Sequence, residues 1–429
     1  MTVVFLLCLF FLLLFLNVPI SFAIGLSTFL FMMTSIDFLP AATTVAQRMT
    51  NGVNSFALMA IPFFILSGQI MAQGGIAKRL INCAMALLGA FPGGLALVNV
   101  LSCTLFGAIS GSAVAATSAI GSFMVPQMKK AGYSPEFSAS VTATASTTGL
   151  LIPPSNILII YAIASGGVSI SALFLAGYIP GLLVALSLMI FCVVYAKRKG
   201  FASAERLPFS VVLKSVWQAV PSLALIVIVM GGIISGIFTP TEAGAIAVLY
   251  ALVLAAGFYR EVDMEKFGVI LIKTAETTAI VLFLIATSSA LSWVLSYENL
   301  PQALTDTLLV ISDNPLIILL IINIILLLIG AFMDMTPAVL IFTPIFLPIA
   351  VSIGIEPLQF GIMMILNLCI GLCTPPVGAI LFVSCAVSKT KIEKMVKPML
   401  PLYVSMLVVL FLVSMYSPIS TFLPSLLAP

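Results

Sequence analysis

Apolar residues run along this chain in long blocks separated by short polar punctuation, without the period-two alternation of β-strands between turns. A bilayer crossing takes about 20 apolar residues, so the pattern predicts roughly ten to fourteen membrane segments. The blocks fall at 2–17, 18–36, 56–72, 95–128, 134–161, 169–196, 216–238, 243–259, 267–296, 315–350, 356–387 and 396–416. Between them, 37–54 reads as a loop or surface helix. Residues 76–91, with Lys78 and Arg79 near the start, read as a short interfacial helix. Residues 202–213 read as an amphipathic surface helix in the charged neighbourhood of Lys197, Arg198, Lys199, Arg206 and Lys214. The stretch holding Glu298, Asp306 and Asp313 is more polar.

Composition narrows the class. Of 429 residues only 7% are charged, 17 Lys and Arg against 14 Asp and Glu, and 62% are hydrophobic. Mean hydropathy is +1.28. Ordinary globular domains carry roughly 25% charge, and so apolar a chain cannot cover itself against water. This excludes a soluble enzyme and a disordered chain. A net charge of +3, with scattered cations, excludes a phosphate-tracking nucleic-acid binder. What remains is an all-α polytopic membrane protein. The seven cysteines all lie in apolar stretches and read as small buried hydrophobes. Cys369 and Cys373 sit four apart, with no His or carboxylate to complete a metal site. The first apolar block has no basic leader and reads as a retained helix rather than a signal peptide.

An internal repeat organises the chain. Offset by 222 positions, Pro126 falls on Pro348, Gly132 on Gly354, Pro135 on Pro357, Gly149 on Gly371, and Pro153 and Pro154 on Pro375 and Pro376. Ordinary apolar self-similarity would align Leu with Leu, not helix breakers with helix breakers. Charge then sets the relative direction, because short cytoplasmic loops are rich in Lys and Arg. Lys129 and Lys130 follow the first broken stretch, whereas Lys389, Lys391, Lys394 and Lys397 follow the second Pro-Pro segment. Their offset counterparts are uncharged. The repeats thus carry positive charge at opposite ends, as inverted-topology repeats do. The same rule places Lys197 to Lys199, Arg206, Arg260 and Lys266 inside, Glu298, Asp306 and Asp313 outside, and both termini in the periplasm, with Arg48 the exception. Four regions follow: 1–91 as scaffold helices, 92–196 as the first repeat core, 197–266 as amphipathic and scaffold helices, and 267–429 as the inverted second core.

Helix breaks at membrane depth need partners from protein or a water-filled cavity. The first break is Ser110-Gly111-Ser112, with Thr117 beyond, and reads as a re-entrant hairpin tip. The second runs from Thr147-Thr148-Gly149 into Pro153-Pro154-Ser155-Asn156. The third, Asp334-Met335-Thr336-Pro337, mirrors the first, Asp334 falling opposite Ser112. The fourth spans Gly371 to Gly378 with Thr374 and Pro375-Pro376. Proline frees a carbonyl, glycine lets the backbone unwind, and freed carbonyls with hydroxyls are hard ligands for a small alkali cation. The N-terminal ends of the resuming helices favour a carboxylate. Cation ligands are therefore expected among Ser110, Gly111, Ser112, Gly149, Pro153, Asp334, Thr336, Gly371, Thr374 and Gly378. An anionic substrate is expected at Ser112, Thr147, Thr148, Ser155, Asn156, Pro375 and Pro376. Asp334 is the sharpest of these: no other acid lies between Asp313 and Glu356, and an ionisable group mid-membrane costs about 2.5–3.5 kcal/mol on insertion scales. It reads as a cation ligand or as a helix N-cap, and both roles can hold. Glu276 reads as a partner of Lys273, and Thr239 to Glu242 as a helix start. With no His, no phosphate loop and no acid–base dyad, an ATPase or intramembrane hydrolase has no support.

Gly107-Ala-Ile-Ser-Gly-Ser-Ala, Met124-Val-Pro, Ala131-Gly-Tyr, Gly149-Leu-Leu-Ile-Pro-Pro-Ser-Asn and Gly371-Leu-Cys-Thr-Pro-Pro-Val-Gly together resemble the large membrane subunit of TRAP transporters, the DctM-type permeases, over essentially the whole chain. The resemblance implies sodium-coupled uptake of an organic acid, of C4-dicarboxylate or sialic acid type, across the bacterial inner membrane; overall similarity leans to sialic acid. It also implies an elevator movement of a transport domain against a scaffold, with tips at Ser110 to Ser112 and Asp334 to Thr336. Sodium would be the coupling ion, with no organic cofactor. The implied partners are a periplasmic substrate-binding protein and a small four-helix membrane subunit, expected as a separate chain. Two other readings stay open: a proton-coupled or binding-protein-independent carrier, and a non-transporting structural subunit.

Overall fold

A computed structural model describes residues 2–201, 207–312, 314–375 and 377–427, and every regular element among them is helical. Among the described residues eight helices are long and apolar enough to cross a membrane, or nine if Pro135–Leu151 and Asn156–Ala164, bent by 54° at their break, count as one span. That is fewer than the ten to fourteen expected from apolar length. The difference lies in apolar helices of 10–17 residues, among them Gly94–Ser110, Pro357–Gly371 and Ala379–Ser388.

Each repeat has the same parts. In the first, the arms Gly94–Ser110 and Ala113–Lys130 form a hairpin; the broken helix Pro135–Leu151 and Asn156–Ala164 follows, then the long Ile170–Lys199. In the second, the arms are Pro315–Phe332 and Met335–Ser352, the broken helix is Pro357–Gly371 and Ala379–Ser388, and Ile392–Met415 closes the set. In both, the first arm crosses its own broken helix glycine on glycine. A Cβ on Gly149 would lie 2.4 Å from the Gly107 Cα, and one on Gly371 would lie 2.5 Å from the Gly330 Cα. Without side chains at the crossing, the backbones reach van der Waals contact, which is how helices associate where no hydrophobic force acts between them. Buried asparagines pin the same pairs: Asn99 donates to Thr142 Oγ1 (2.7 Å), and Asn367 to both the carbonyl (2.9 Å) and Oδ1 (2.8 Å) of Asn323.

Two hydrogen bonds fix the inversion. Lys129 Nζ, at the base of the first hairpin, donates to the Ser388 carbonyl at the far end of the second broken helix (2.5 Å). Tyr161, near the far end of the first broken helix, donates to the Pro357 carbonyl, just past the base of the second hairpin (2.6 Å). Each broken helix starts at its own hairpin base and ends beside the other's. The two repeats therefore run in opposite directions.

A second group of helices packs alongside. Ile20–Met32, Phe38–Val53 and Ala60–Gln73 lie against Met264–Tyr297, whose 34 residues make it about 51 Å long. Pro240–Leu252 packs on Ala60–Gln73. Residues 38–53 thus form a helix of the bundle. Thr239 and Glu242 close a full capping box at the start of Pro240–Leu252, as the sequence suggested. The more polar stretch after Glu298 holds a helix, Leu300–Ile311. Two expectations need correction. Lys197, Arg198 and Lys199 form the last turn of Ile170–Lys199, where cations complement the helix dipole, and Lys214 lies early in the 26-residue Phe209–Ile234, so 209–213 belong to that helix and not to a separate surface helix. Glu276 forms no ion pair with Lys273; among the described residues the one pair within 4.0 Å is Arg79–Glu261. Arg206, Asp313 and Pro376 lie outside the described residues.

Candidate functional site

The first tip is made by one glycine. Gly111 takes φ +62°, closing the helix Gly94–Ser110 through its amide to the Gly107 carbonyl (2.8 Å). Ser112 then returns in an extended conformation, and its Oγ accepts the Ala115 amide (3.2 Å), capping the helix that resumes. Ser110 Oγ lies 3.4 Å from the amide and the carbonyl of Ser112. Thr117 is fully buried and donates to the Ala113 carbonyl while bonding Ser146 Oγ (2.7 Å), so it braces the returning arm against the broken helix.

The second tip is built differently. Met333 is extended, with φ −121°, and Asp334 occupies the N-cap position of Met335–Ser352, yet its side chain makes no capping hydrogen bond. The Asp334 carboxylate opens into the interior cavity with no cation within salt-bridge distance among the described residues. A carboxylate at a helix N-terminus is favoured by the dipole, but that accounts for a fraction of the cost of placing it there.

In the first broken helix the chain is helical through Leu151, so Thr147, Thr148 and Gly149 are not unwound. Thr147 donates to the Thr144 carbonyl, and Thr148 to that of Ala145 while meeting Thr104 Oγ1 at 2.6 Å. Gly149 serves the helix crossing. The break is Ile152 to Ser155, forced by two prolines that have no amide to donate. Immediately after it, Ser155 Oγ and Asn156 Oδ1 are buried with no hydrogen-bond partner. In the second broken helix, Gly371 is the last residue of the first half and Ala379 the first of the second. Gly378 has φ +34°, and a Cβ there would lie 3.0 Å from the carbonyl oxygens of both Leu372 and Thr374. Two backbone oxygens thus converge on this glycine. Thr374 Oγ1 donates to the Ile370 carbonyl (2.8 Å), Tyr403 Oη to the Cys373 carbonyl, and the Val377 amide to the Ala331 carbonyl beside the second tip (3.2 Å).

One cavity of about 360 Å³ collects the tips. Ser110, Gly111, Ser112, Asn156, Asp334 and Thr336 all line it. The resuming helices Ala113–Lys130, Asn156–Ala164, Met335–Ser352 and Ala379–Ser388 each begin at or beside its wall. Gly149, Pro153, Thr147, Thr148, Ser155, Gly371, Thr374, Pro375 and Gly378 do not line it; they stand behind it, in the broken helices that carry the tips. The opposite wall comes from Ile61, Ile65 and Gln69 of one helix and Thr277, Ile280 and Leu284 of the long helix.

With this geometry in view, comparison with known proteins is decisive. Residues 7–419 match the family described as tripartite ATP-independent periplasmic transporter, DctM component. The chain belongs to this family. A Salmonella typhimurium protein named YgiK, described as uncharacterized, is 51% identical over 96% of this chain and 95% of its own. The sialic acid TRAP transporter large permease protein SiaM of Vibrio cholerae is 39% identical over 96% of each chain. The solved structure of the Alcanivorax borkumensis YdaH transporter, reported to have an unusual topology, shares the fold with a TM-score of 0.65 at 15% identity, covering 89% of both chains. This DctM component is therefore a multi-pass membrane transporter subunit.

Sequence reasoning missed the cavity's far wall. Gln69 and Thr277 are the polar groups there. The amide of Gln69 inside an otherwise apolar crossing was the available signal; Thr277 sits in a polar run of the long helix that pointed nowhere in particular.

Proposed function

We propose that this chain is the large membrane subunit of a sodium-coupled, binding-protein-dependent importer of an organic acid in the bacterial inner membrane. Its partners are a small four-helix membrane subunit and a periplasmic substrate-binding protein, and both its termini face the periplasm. The observation that carries this reading is Asp334: a carboxylate with no Lys or Arg nitrogen within 4.0 Å among the described residues, in a cavity ringed by the N-terminal ends of four helices. Helix N-termini attract an anion. An anionic substrate and the Asp334 carboxylate repel each other across the cavity, and a bound cation relieves that repulsion. Charge balance thus makes uptake depend on a coupling ion. The oxygens converging at Gly378 and the unpartnered Ser155 and Asn156 oxygens supply hard ligands of the kind sodium takes.

The cavity lies on the seam between the repeat cores and the helices Ala60–Gln73 and Met264–Tyr297. Sliding along that seam is the elevator step in this reading, with the hairpin cores as the moving unit and 1–91 and 197–266 as the scaffold; the long helix, counted above with the second core, is here assigned to the scaffold because it packs on Ile20–Met32, Phe38–Val53 and Ala60–Gln73. At the seam a Cβ on Gly68 would lie 2.6 Å from the Ser110 carbonyl oxygen, so the surfaces meet without a side chain between them. As to substrate, the relatives named for isethionate, sialic acid, C4-dicarboxylates and 2,3-diketo-L-gulonate are 41%, 39%, 39% and 40% identical. Overall similarity therefore favours none of these, and the proposal extends to organic acids as a class.

The test is uptake into liposomes by the purified chain with both partners. Wild type is expected to need a sodium gradient, and Asp334→Ala and Thr374→Val to lose or weaken sodium dependence. Unchanged sodium dependence in both would discard these assignments, and full uptake on a proton gradient alone would replace sodium as the coupling ion.

A further inference from the structure

A second crevice, of about 500 Å³, lies away from the transport cavity. Its walls are the first turns of Ile76–Leu88, the early part of Phe209–Ile234, and the turn at Phe258 to Glu261 that follows Pro240–Leu252. The helix Ile76–Leu88 begins the wrong way round electrostatically. Gly75 at its N-cap offers no capping side chain, its first turn holds no acid, and it carries Lys78 and Arg79 where the dipole disfavours cations. Glu261 already brings one carboxylate to that end, its Oε1 2.9 Å from where a Cβ on Gly75 would lie, so two cations face one acid, and the second would be offset by a further anion.

The crevice is also shaped to hold one. Arg79 Cζ sits over the Tyr259 ring, 3.5 Å from its centroid, and Nη1 donates to the Gly75 carbonyl (2.8 Å). The guanidinium is fixed in place by these contacts. Its other nitrogen, Nη2, is 3.9 Å from Glu261 Oε1, too long for a hydrogen bond, and the exposed Glu261 offsets little of the charge. Lys78, Asn82 and Gln218 add exposed donors. The rim is aromatic and open: Trp217 is 74% exposed and Phe258 73%. Phe258 ends a π-helical bulge, Val253–Phe258, which turns the chain into the crevice. Tryptophan and tyrosine beside Lys and Arg mark the headgroup level of a bilayer, and basic pockets between membrane helices suit phosphate headgroups.

We propose that this crevice binds the phosphate of an anionic phospholipid, with Arg79 and Lys78 on the headgroup and Trp217 and Phe258 against the glycerol and upper acyl chains. The exposed aromatic rim favours a lipid over a free phosphate, which has nothing to gain from apolar contact.

The full-length chain in nanodiscs, with lipid retention read by native mass spectrometry and thermal midpoint read beside it, tests this. Wild type is expected to retain phosphatidylglycerol in preference to phosphatidylcholine and to melt higher in its presence, while inorganic phosphate leaves the midpoint unchanged. Lys78→Gln removes an exposed cation with no hydrogen bond of its own, so folding is not at stake, and is expected to weaken phosphatidylglycerol retention about fivefold. Trp217→Ala is expected to weaken it with every headgroup charge intact. Equal retention of both lipids, or retention unchanged in both variants, would overturn the site. Stabilisation by inorganic phosphate as strong as by phosphatidylglycerol would overturn the lipid assignment.

Discussion

The two hairpin tips are the same device with opposite electrical contents. At the first, Gly111 makes the turn, Ser112 caps the next helix with its own hydroxyl, and the tip is neutral. At the second, Asp334 holds the corresponding place, leaves the helix uncapped by its side chain, and brings a charge. The supporting parts barely differ: glycine crosses glycine in both halves, and each broken helix ends on the other hairpin's base. Duplication thus repeated the mechanics while all three tip residues changed, Ser110, Gly111 and Ser112 standing opposite Phe332, Met333 and Asp334, of which only Asp334 brings a charge. An inverted pair with one charged member has a built-in polarity, and an account of coupling has to place the ion with respect to Asp334.

The comparison can be broken where the halves are alike. A side chain at either glycine crossing meets backbone, which cannot move aside. Gly149→Leu and Gly371→Leu are each expected to yield no monodisperse protein, and the alanine variants to cost about 1–3 kcal/mol by thermal or denaturant unfolding. Tolerance at one crossing and collapse at the other would show that the halves are not mechanically equivalent.

Where the halves differ, the expected effects separate. Asp334→Asn keeps the shape and removes the charge. Sodium-driven uptake is expected to fall on the order of a hundredfold, near the upper end of the coupling free energies found between two bound ligands, with melting unchanged. Ser112→Ala removes a cap worth about 1 kcal/mol, so uptake is expected to fall about fivefold with sodium dependence retained. If the two variants behave alike, the electrical distinction between the tips has no functional weight.

The smallest effects concern the bonds that join the halves. Lys129→Gln and Tyr161→Phe each remove one hydrogen bond, to Ser388 and Pro357, and each is expected to cost about 1 kcal/mol. Because the two bonds belong to opposite hairpin bases, the double variant is expected to show the sum; strong non-additivity in the melting curves would mean that the repeats communicate through their ends.

The repeat and its breaks were legible in the sequence because proline and glycine act locally: a proline without an amide interrupts a helix whatever surrounds it. Six cavity-lining residues were named for the same reason, since a tip has to contain the breaker and its cap. Contacts that need two distant segments were not legible. Gly149 and Gly371 look like hinge residues until Gly107 and Gly330 are seen against them, and Thr147 and Thr148 look like free ligands until their hydroxyls are seen bonded to the preceding turn. Gln69 and Thr277 reach the cavity only because two helices outside the repeat cores wall it in. The helix Leu300–Ile311 carries Asp306 because one acid on a helix exposed along much of its length costs little.

Everything above depends on the repeats being upside down with respect to one another. Single cysteines in place of Lys129, Lys391 and Ser352, in a chain whose exposed Cys8 and partly exposed Cys385 are replaced, report this directly when labelled in sealed, oriented vesicles with a membrane-impermeant thiol reagent. Positions 129 and 391 are expected to react from the same side and position 352 from the opposite one. Labelling of 129 and 391 from different sides would contradict the inverted architecture and, with it, the pairing of a neutral and a charged tip in one cavity.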